Sequence, residues 1–341
     1  MTRPILRSAL LAALPLALAT PLAAQDEAPP PPTPGSVIAA SHPSEWRTIA
    51  PADLMVMDLA PDAKGNPRRV VIQLMPAPFS QPWVENIRTM ARAHWWDGKS
   101  IYRVVDNWVV QWGGGDPELD MDPGPLPEGV ASPKVSYDVN QRHPSIQQAL
   151  RRQESAVDAL LTRMRGERMV GALRQAYGSD AYAERTGFVD GWPFAASDRE
   201  VLAWPVHCYA SVGVARDLAP DTGTGSELYA VIGHAPRQLD RNIAVVGRVI
   251  EGIEHMSVLP RGTAEAGVYA TRAEDTPILS VRLADELADP PAFEYLSTDS
   301  ASFARYVEVR ANRHDAFYEQ PAGGIDICNV GVPVREAKAS E

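Results

Sequence analysis

Apolar and polar positions along the chain predict two groups of short strands with a helical stretch between them. Val70–Met75 (VVIQLM) is a dense apolar run and predicts the first firm strand. Gln81–His94 follows with Trp83, Ile87, Met90, Ala91 and His94 near helical spacing, and Trp95-Trp96-Asp97-Gly98 supplies bulky core residues and then a turn. Ile101–Pro117 (IYRVVDNWVVQWGGGDP) comes next, and its β-branched and aromatic residues predict a buried strand pair. Arg103 and Gln111 place polar side chains within its apolar runs. Gly113–Gly115 closes it with a backbone able to turn sharply or approach a ligand closely.

Glu118–Pro144, rich in Pro, Gly and Asp, reads as an irregular excursion. Ser145-Ile146-Gln147-Gln148 then has the form of a capping box. Ile146, Leu150, Val157, Leu160, Leu161 and Met164 predict a helix of about 20 residues, and Met169–Tyr177 predicts a second helical piece beyond Gly166. Thr186–Ser197 reads as a turn-rich link. Strand-like content resumes at Val201–Ala215, Leu228–Gly233 and Asn242–Ile250, followed by a short helix at Glu251–Leu259 and a closing strand at Ile278–Leu283. Ser300–Tyr318 predicts a last helix, capped by Asp299 or Ser300, with Phe303, Val307, Arg310, His314 and Phe317 along one side.

Composition adds the compartment. Arg3 and Arg7 precede the apolar core Ala9–Ala19 and small residues up to Ala24, the pattern of a secretory signal peptide; a retained membrane anchor is the alternative. Asp26–Gly35 (DEAPPPPTPG) predicts an extended, solvated tether. No later stretch is apolar for long enough to span a membrane. The formal charge is −11, and −13 once Arg3 and Arg7 are removed, with no basic run, which argues against nucleic acid as a partner. The only cysteines are Cys208 and Cys328, both in the exported part. In an oxidising compartment an even pair suggests one disulfide, worth about 4–5 kcal/mol in the chain-entropy model; two separate buried thiols are the alternative.

An arginine inside an apolar strand is costly unless its donors are used. Taken alone, Arg103 reads as solvent-facing or paired with a carboxylate. Its surroundings, however, resemble the signature of the cyclophilin peptidyl-prolyl isomerases, F-[HY]-R-V-[IV]-x-x-F-[MV]-[IV]-Q-G-G-D. Tyr102, Arg103, Val104, Val105, Trp108, Val109, Val110, Gln111, Gly114, Gly115 and Asp116 carry it. Trp108 replaces a phenylalanine, and Trp112-Gly113 is inserted after Gln111, where it is expected to disturb the strand end. Upstream, Ala77-Pro78, Val84-Glu85-Asn86, Ala91 and Trp96-Asp97-Gly98 stand in the family's order. Downstream, Gly225-Ser226, Tyr229, Gly233, Leu239-Asp240, Val245, Gly247-Arg248-Val249 and Glu251-Gly252 resemble the second half of its pattern. The tail Pro321–Val330 is similar to the C-terminal extension of exported α-proteobacterial members.

The resemblance implies a mainly β protein, a closed antiparallel barrel with flanking helices, a helical insertion and a C-terminal helical extension. The boundaries expected are 1–24 for the signal, 25–45 for the tether, 46–285 for the barrel with its insertion at about 118–200, and 286–341 for the extension. The insertion's apolar stripe is read as packing against the barrel. By the same resemblance Arg103 is the catalytic arginine and Gln111 binds the substrate backbone. Trp108, Val109, Tyr229 and Leu239 line the proline pocket, and Ala215, Arg216 and Glu227 contact the substrate strand. Arg216 departs from the asparagine of an Ala-Asn pair, Glu227 stands where many members carry glutamine, Gln238 where some carry tryptophan, and Ile243 replaces a pocket histidine.

Other chemistries find little support. The seven histidines are dispersed, with no HExxH and no paired Cys/His spacing for zinc. No G-x-S-x-G elbow occurs, and Gly113–Gly115 lacks the Lys-Ser/Thr of a phosphate loop. His207 beside Cys208 suggests a thiol nucleophile only if no disulfide forms. The expectation is a periplasmic prolyl isomerase acting on proline-containing unfolded or exported polypeptides, without cofactor or metal. The competing reading is a catalytically weak binding or scaffolding module of the cell envelope on the same barrel.

Overall fold

The computed structural model describes residues 30–115, 117–163 and 180–337. The expected signal segment and the second helical piece Met169–Tyr177 lie outside these residues. Among the described residues, no helix is long and apolar enough to cross a membrane.

Two short strands begin the chain, β1 (Trp46–Thr48) and β2 (Leu54–Leu59), and β3 (Arg68–Leu74) follows. The apolar pattern predicts the first firm strand only at Val70. β2 escaped that reading because LMVMDL is a continuous apolar run without alternation, which periodicity alone does not assign to strand or helix. It is buried on both faces: Met55, Met57 and Leu59 join the main core, while Leu54 and Val56 pack with Phe293 and Ala284. Helix α1 (Pro34–Ala39) precedes these strands, so the segment expected to be extended ends inside a helix; Thr33 caps it by accepting the Ser36 N–H.

Helix α2 (Gln81–Arg92) follows β3, and Trp83, Val84, Ile87, Met90 and Ala91 bury its apolar stripe against the barrel interior. Strands β4 (Ser100–Val104) and β5 (Val109–Gly113) are the predicted pair. After β6 (Val139–Asn140), helix α3 runs Pro144–Arg163. It starts one residue before the expected Ser145 cap: Pro144 takes the first helical position, where its missing N–H costs nothing, and the Gln147 N–H bonds the His143 carbonyl. Strands β7 (Arg185–Val189) and β8 (Trp192–Ser197) replace the expected turn-rich link. They form a hairpin through Asp190-Gly191, whose φ values of 48° and 83° suit the two-residue turn an Asp-Gly pair favours.

Strands β9 (Leu202–Pro205), β10 (Ser211–Val214), β11 (Leu228–Val231) and β12 (Val245–Glu251) lead to helix α4 (Ile253–Ser257) and strand β13 (Thr276–Leu283). The chain ends with β14 (Phe293–Leu296), α5 (Ala301–Ala311) and β15 (Val334–Glu336). Ser300 caps α5, as expected, but the helix stops at Ala311 with Asn312 at its end rather than reaching Tyr318.

Eight antiparallel strands close into a barrel in the order β10-β11-β5-β4-β13-β2-β3-β12, with β12 returning to β10. A closed barrel has no free edge to pair with another chain. The insertion contributes its own sheet, β6-β9-β8-β7, and Ile146, Ala149 and Leu150 of α3 join Phe194, Ala196 and Ala203 in a core continuous with the barrel. A third sheet, β1-β14-β15, joins the region before the barrel to the region after it, and Trp46, Leu296, Phe303 and Tyr306 fill the space beneath. A disulfide joins Cys208 to Cys328, with Cα atoms 5.1 Å apart, and ties the tail to the segment just before β10.

Candidate active site

Period-2 alternation in β5 and β11 decides what faces the barrel interior. Val110 and Trp112, with Leu228 and Ala230, point into the core. Their neighbours Val109, Tyr229 and Val231 form a separate apolar cluster on the other face, completed by Val105, Trp108, Ala215, Leu239 and Ile243. The register then sets Arg103 opposite Gln111, Gln111 opposite Tyr229, and Tyr229 opposite Gly213. One row across four strands thus holds a guanidinium, an amide, a phenol ring and a glycine beside a cluster of apolar side chains.

An extra residue in β4 makes the row possible. Ile101 pairs with Trp112 and Arg103 with Gln111, so Tyr102 is left over as a bulge. Its hydroxyl reaches the same side as Gln111. Arg103 Nη1 donates to Gln111 Oε1 at 2.9 Å, Gln111 Nε2 donates to Tyr102 Oη at 2.6 Å, and Tyr102 Oη donates to Glu227 Oε2 at 2.7 Å. The Gly115 N–H donates to Glu227 Oε1 at 2.8 Å. Every donor in this chain points from the guanidinium toward the carboxylate, so each bond polarises the next in the same sense. Arg103 Nε donates to the Ala266 carbonyl at 2.7 Å, and the guanidinium carbon lies 5.6 Å from the centre of the Trp108 ring. Two of the five Arg103 donors are thereby fixed by described residues.

Burial pulls the Arg103 guanidinium below its usual range, against the opposing influence of Tyr102, yet an arginine so shifted is still a cation at any physiological pH. Burial pushes the Glu227 carboxyl up, and the hydrogen bonds from Tyr102, Gly115 and Gln111 oppose this. Tyr102 is raised by burial and by the Glu227 charge.

The inserted Trp112-Gly113 does not disturb the strand end, contrary to expectation. Val109–Trp112 pairs without a break against Leu228–Val231, and the Trp112 ring is fully buried in the barrel. The added tryptophan is absorbed because it falls on an inward position. Gly113 beside it has φ 155°, and a Cβ there would overlap the Glu227 carboxylate, so the inserted glycine leaves the space in which that carboxylate sits.

Of the residues singled out from the sequence, the fold gathers Arg103, Gln111, Trp108, Val109, Ala215, Tyr229 and Leu239 around this row. Glu227 joins through Tyr102. Arg216 does not join the hydrogen-bond chain: its Nε donates to the Asn242 carbonyl at 3.0 Å and its Nη1 to the Asp217 carbonyl at 2.6 Å. It thus bridges from the end of β10 to the segment carrying Leu239 and Ile243, while Gln238 on that segment is exposed. Sequence reasoning gave no role in this row to Tyr102, and it linked the buried His207, which lies against Tyr229, only to the Cys208 thiol. The Cys208 sulfur is in the disulfide, so His207 has no thiol to activate. Among the described residues no group of three or more His, Cys, Asp or Glu side chains could hold a metal ion.

The closed eight-stranded barrel thus sets an arginine–glutamine pair beside an apolar cluster. The family model for cyclophilin type peptidyl-prolyl cis-trans isomerase/CLD matches residues 64–283, and the chain belongs to that family. Among solved structures, cyclophilin AquaCyp293 from Hirschia baltica, an α-proteobacterium, is 20% identical, with 91% of this chain and 100% of that chain covered at a TM-score of 0.58, a likeness of fold. A cyclophilin type peptidyl-prolyl cis-trans isomerase from Cryptosporidium parvum is 11% identical over 70% of this chain and 99% of its own, at a TM-score of 0.35. No curated protein matches the chain.

Proposed function

We propose that the protein isomerises X–Pro bonds of exported polypeptides in the periplasm, with Arg103 as the group that stabilises the twisted imide. Amide resonance sets a barrier of roughly 18–20 kcal/mol to rotation, and twisting frees the lone pair on the proline nitrogen. A catalyst needs only to bind the twisted amide better than the planar one. In this reading Val109, Tyr229, Trp108 and Leu239 grip the proline ring, an Arg103 donor meets the pyramidal nitrogen, and Gln111 meets the substrate backbone while holding Arg103. The observation that carries the reading is the row Arg103–Gln111–Tyr229 beside the apolar cluster. The disulfide between Cys208 and Cys328 and the leader-like residues Arg3–Ala24 support the exported setting.

The test is an isomerisation assay on X–Pro peptides with wild type and Arg103→Ala. Removing one aimed donor is expected to lower turnover by about 10²–10³-fold. An unchanged rate in the variant, or none above background in wild type, sinks the mechanism; peptide binding without turnover would favour the binding module instead.

A further inference from the structure

Beneath the apolar cluster lies a buried polar chain that isomerisation as described does not use. Tyr229 Oη lies 2.9 Å from His207 Nε2, and His207 Nδ1 lies 2.9 Å from Asp240 Oδ1. The same carboxylate oxygen accepts the His207 backbone N–H at 2.9 Å. Asp240 Oδ2 accepts Arg237 Nε at 2.6 Å, and Arg237 Nη1 donates to Asp180 Oδ2 at 2.5 Å. His207 is wholly buried, and Tyr229, Asp240 and Arg237 nearly so.

A protonated ring nitrogen faces Asp240 Oδ1, so a neutral imidazole carries its proton on Nδ1, offers its Nε2 lone pair to the tyrosine and takes Tyr229 as the donor. Burial and the Asp240 charge both raise Tyr229, which keeps that hydroxyl protonated. The two rings lie nearly parallel, 11° apart. Tyr229 also sits over Gly213, its partner across the ladder, where a Cβ would overlap the ring and the hydroxyl.

We propose that His207, oriented by Asp240, is a positioning residue of the proline pocket: it pins the Tyr229 hydroxyl and so fixes the ring against which the substrate proline packs. The inference rests on Tyr229 being a wall of that pocket. A phenylalanine there would be located by packing alone; this tyrosine is located as well by a fully buried histidine that a carboxylate holds in place.

A double-mutant cycle separates this role from that of an ordinary core histidine. In the full chain with its disulfide formed, His207→Leu is expected to lower kcat/KM for an X–Pro peptide about tenfold, chiefly through KM, because the Tyr229 hydroxyl is left buried without an acceptor and the ring must move. In a Tyr229→Phe background the same change is expected to cost less than about twofold, since no hydroxyl remains to be pinned. His207→Gln, whose amide oxygen can take the place of Nε2, should recover most of the loss. Equal losses from His207→Leu in both backgrounds, or no loss in either, overturn the proposal. Peptide affinity by calorimetry reads the same cycle without turnover. A chain that binds but does not isomerise would thus overturn the isomerase mechanism while the cycle still decides the role of His207, and a wild type that neither binds nor turns over overturns both.

Discussion

Tyr102 and Glu227, 125 residues apart in the chain, share a hydrogen bond of 2.7 Å that ends the chain of donors starting at Arg103. The carboxylate at its end is partly buried and raised above its ordinary range, so the folded state holds the Glu227 proton to a higher pH than the unfolded chain does. Stability from this group is therefore fully present below the ordinary glutamate range and is lost as pH rises through the folded value. Glu227→Gln removes that titration. Melting temperatures measured across pH should shift in the variant's favour relative to wild type as pH rises above the ordinary glutamate range; a constant gap would contradict the assignment.

Arg103→Lys keeps a charge but loses the planar fork that meets the Ala266 carbonyl and Gln111 together. Turnover on an X–Pro peptide should fall about a hundredfold, as for removal of an aimed donor. Near wild-type turnover in the lysine variant would show that charge alone suffices.

Gly113→Ala places a methyl group on the Glu227 carboxylate and should cost about 1–3 kcal/mol in denaturant unfolding. Combining it with Glu227→Ala should recover part of that loss. Failure to recover any would place the strain elsewhere.

Trp112→Ala should cost about 3–5 kcal/mol, since the ring is fully buried among the inward residues of the barrel. A small effect would mean that the tryptophan is a surface insertion rather than a barrel residue.

Cys208→Ser with Cys328→Ser should lower unfolding stability by about 2–5 kcal/mol relative to the oxidised protein, and reductant should lower wild type toward the same value. Thiol labelling of the unfolded, unreduced protein should find no free sulfur; two labelled cysteines would refute the bond.

The arginine and glutamine of the site stood out in the sequence because each is a polar interruption at strand spacing in an apolar run, and an eight-stranded barrel returns them to one row. The same argument could not find the Tyr102 bulge, since one extra residue in β4 changes no composition, only which face Tyr102 meets. Tyr229 and Asp240 stand in the family-like pattern, 22 and 33 residues beyond His207, but His207 carries no local signal that links it to them. Only pairing of β10 with β11, and packing of the 237–243 segment beside them, brings the three together. The hairpin at Asp190-Gly191 did carry its turn signal. Pro193 with Gly187 and Gly191 lowers the strand propensity of the stretch, which the burial of Trp192 and Phe194 overrides.

The bond from Cys208 to Cys328 also sets how the molecule would carry tension. β10, β11, β12 and β13 all lie between the two sulfurs, so a pull between residues 30 and 337 passes through the bond to the segment ahead of β10. Half of the barrel's strands are thereby shunted out of the load path. Stretched in the oxidised state, the chain should lengthen by the span outside the bridge and no further, and only reduction should release the loop it closes, whose ends are separated by 120 positions in the chain.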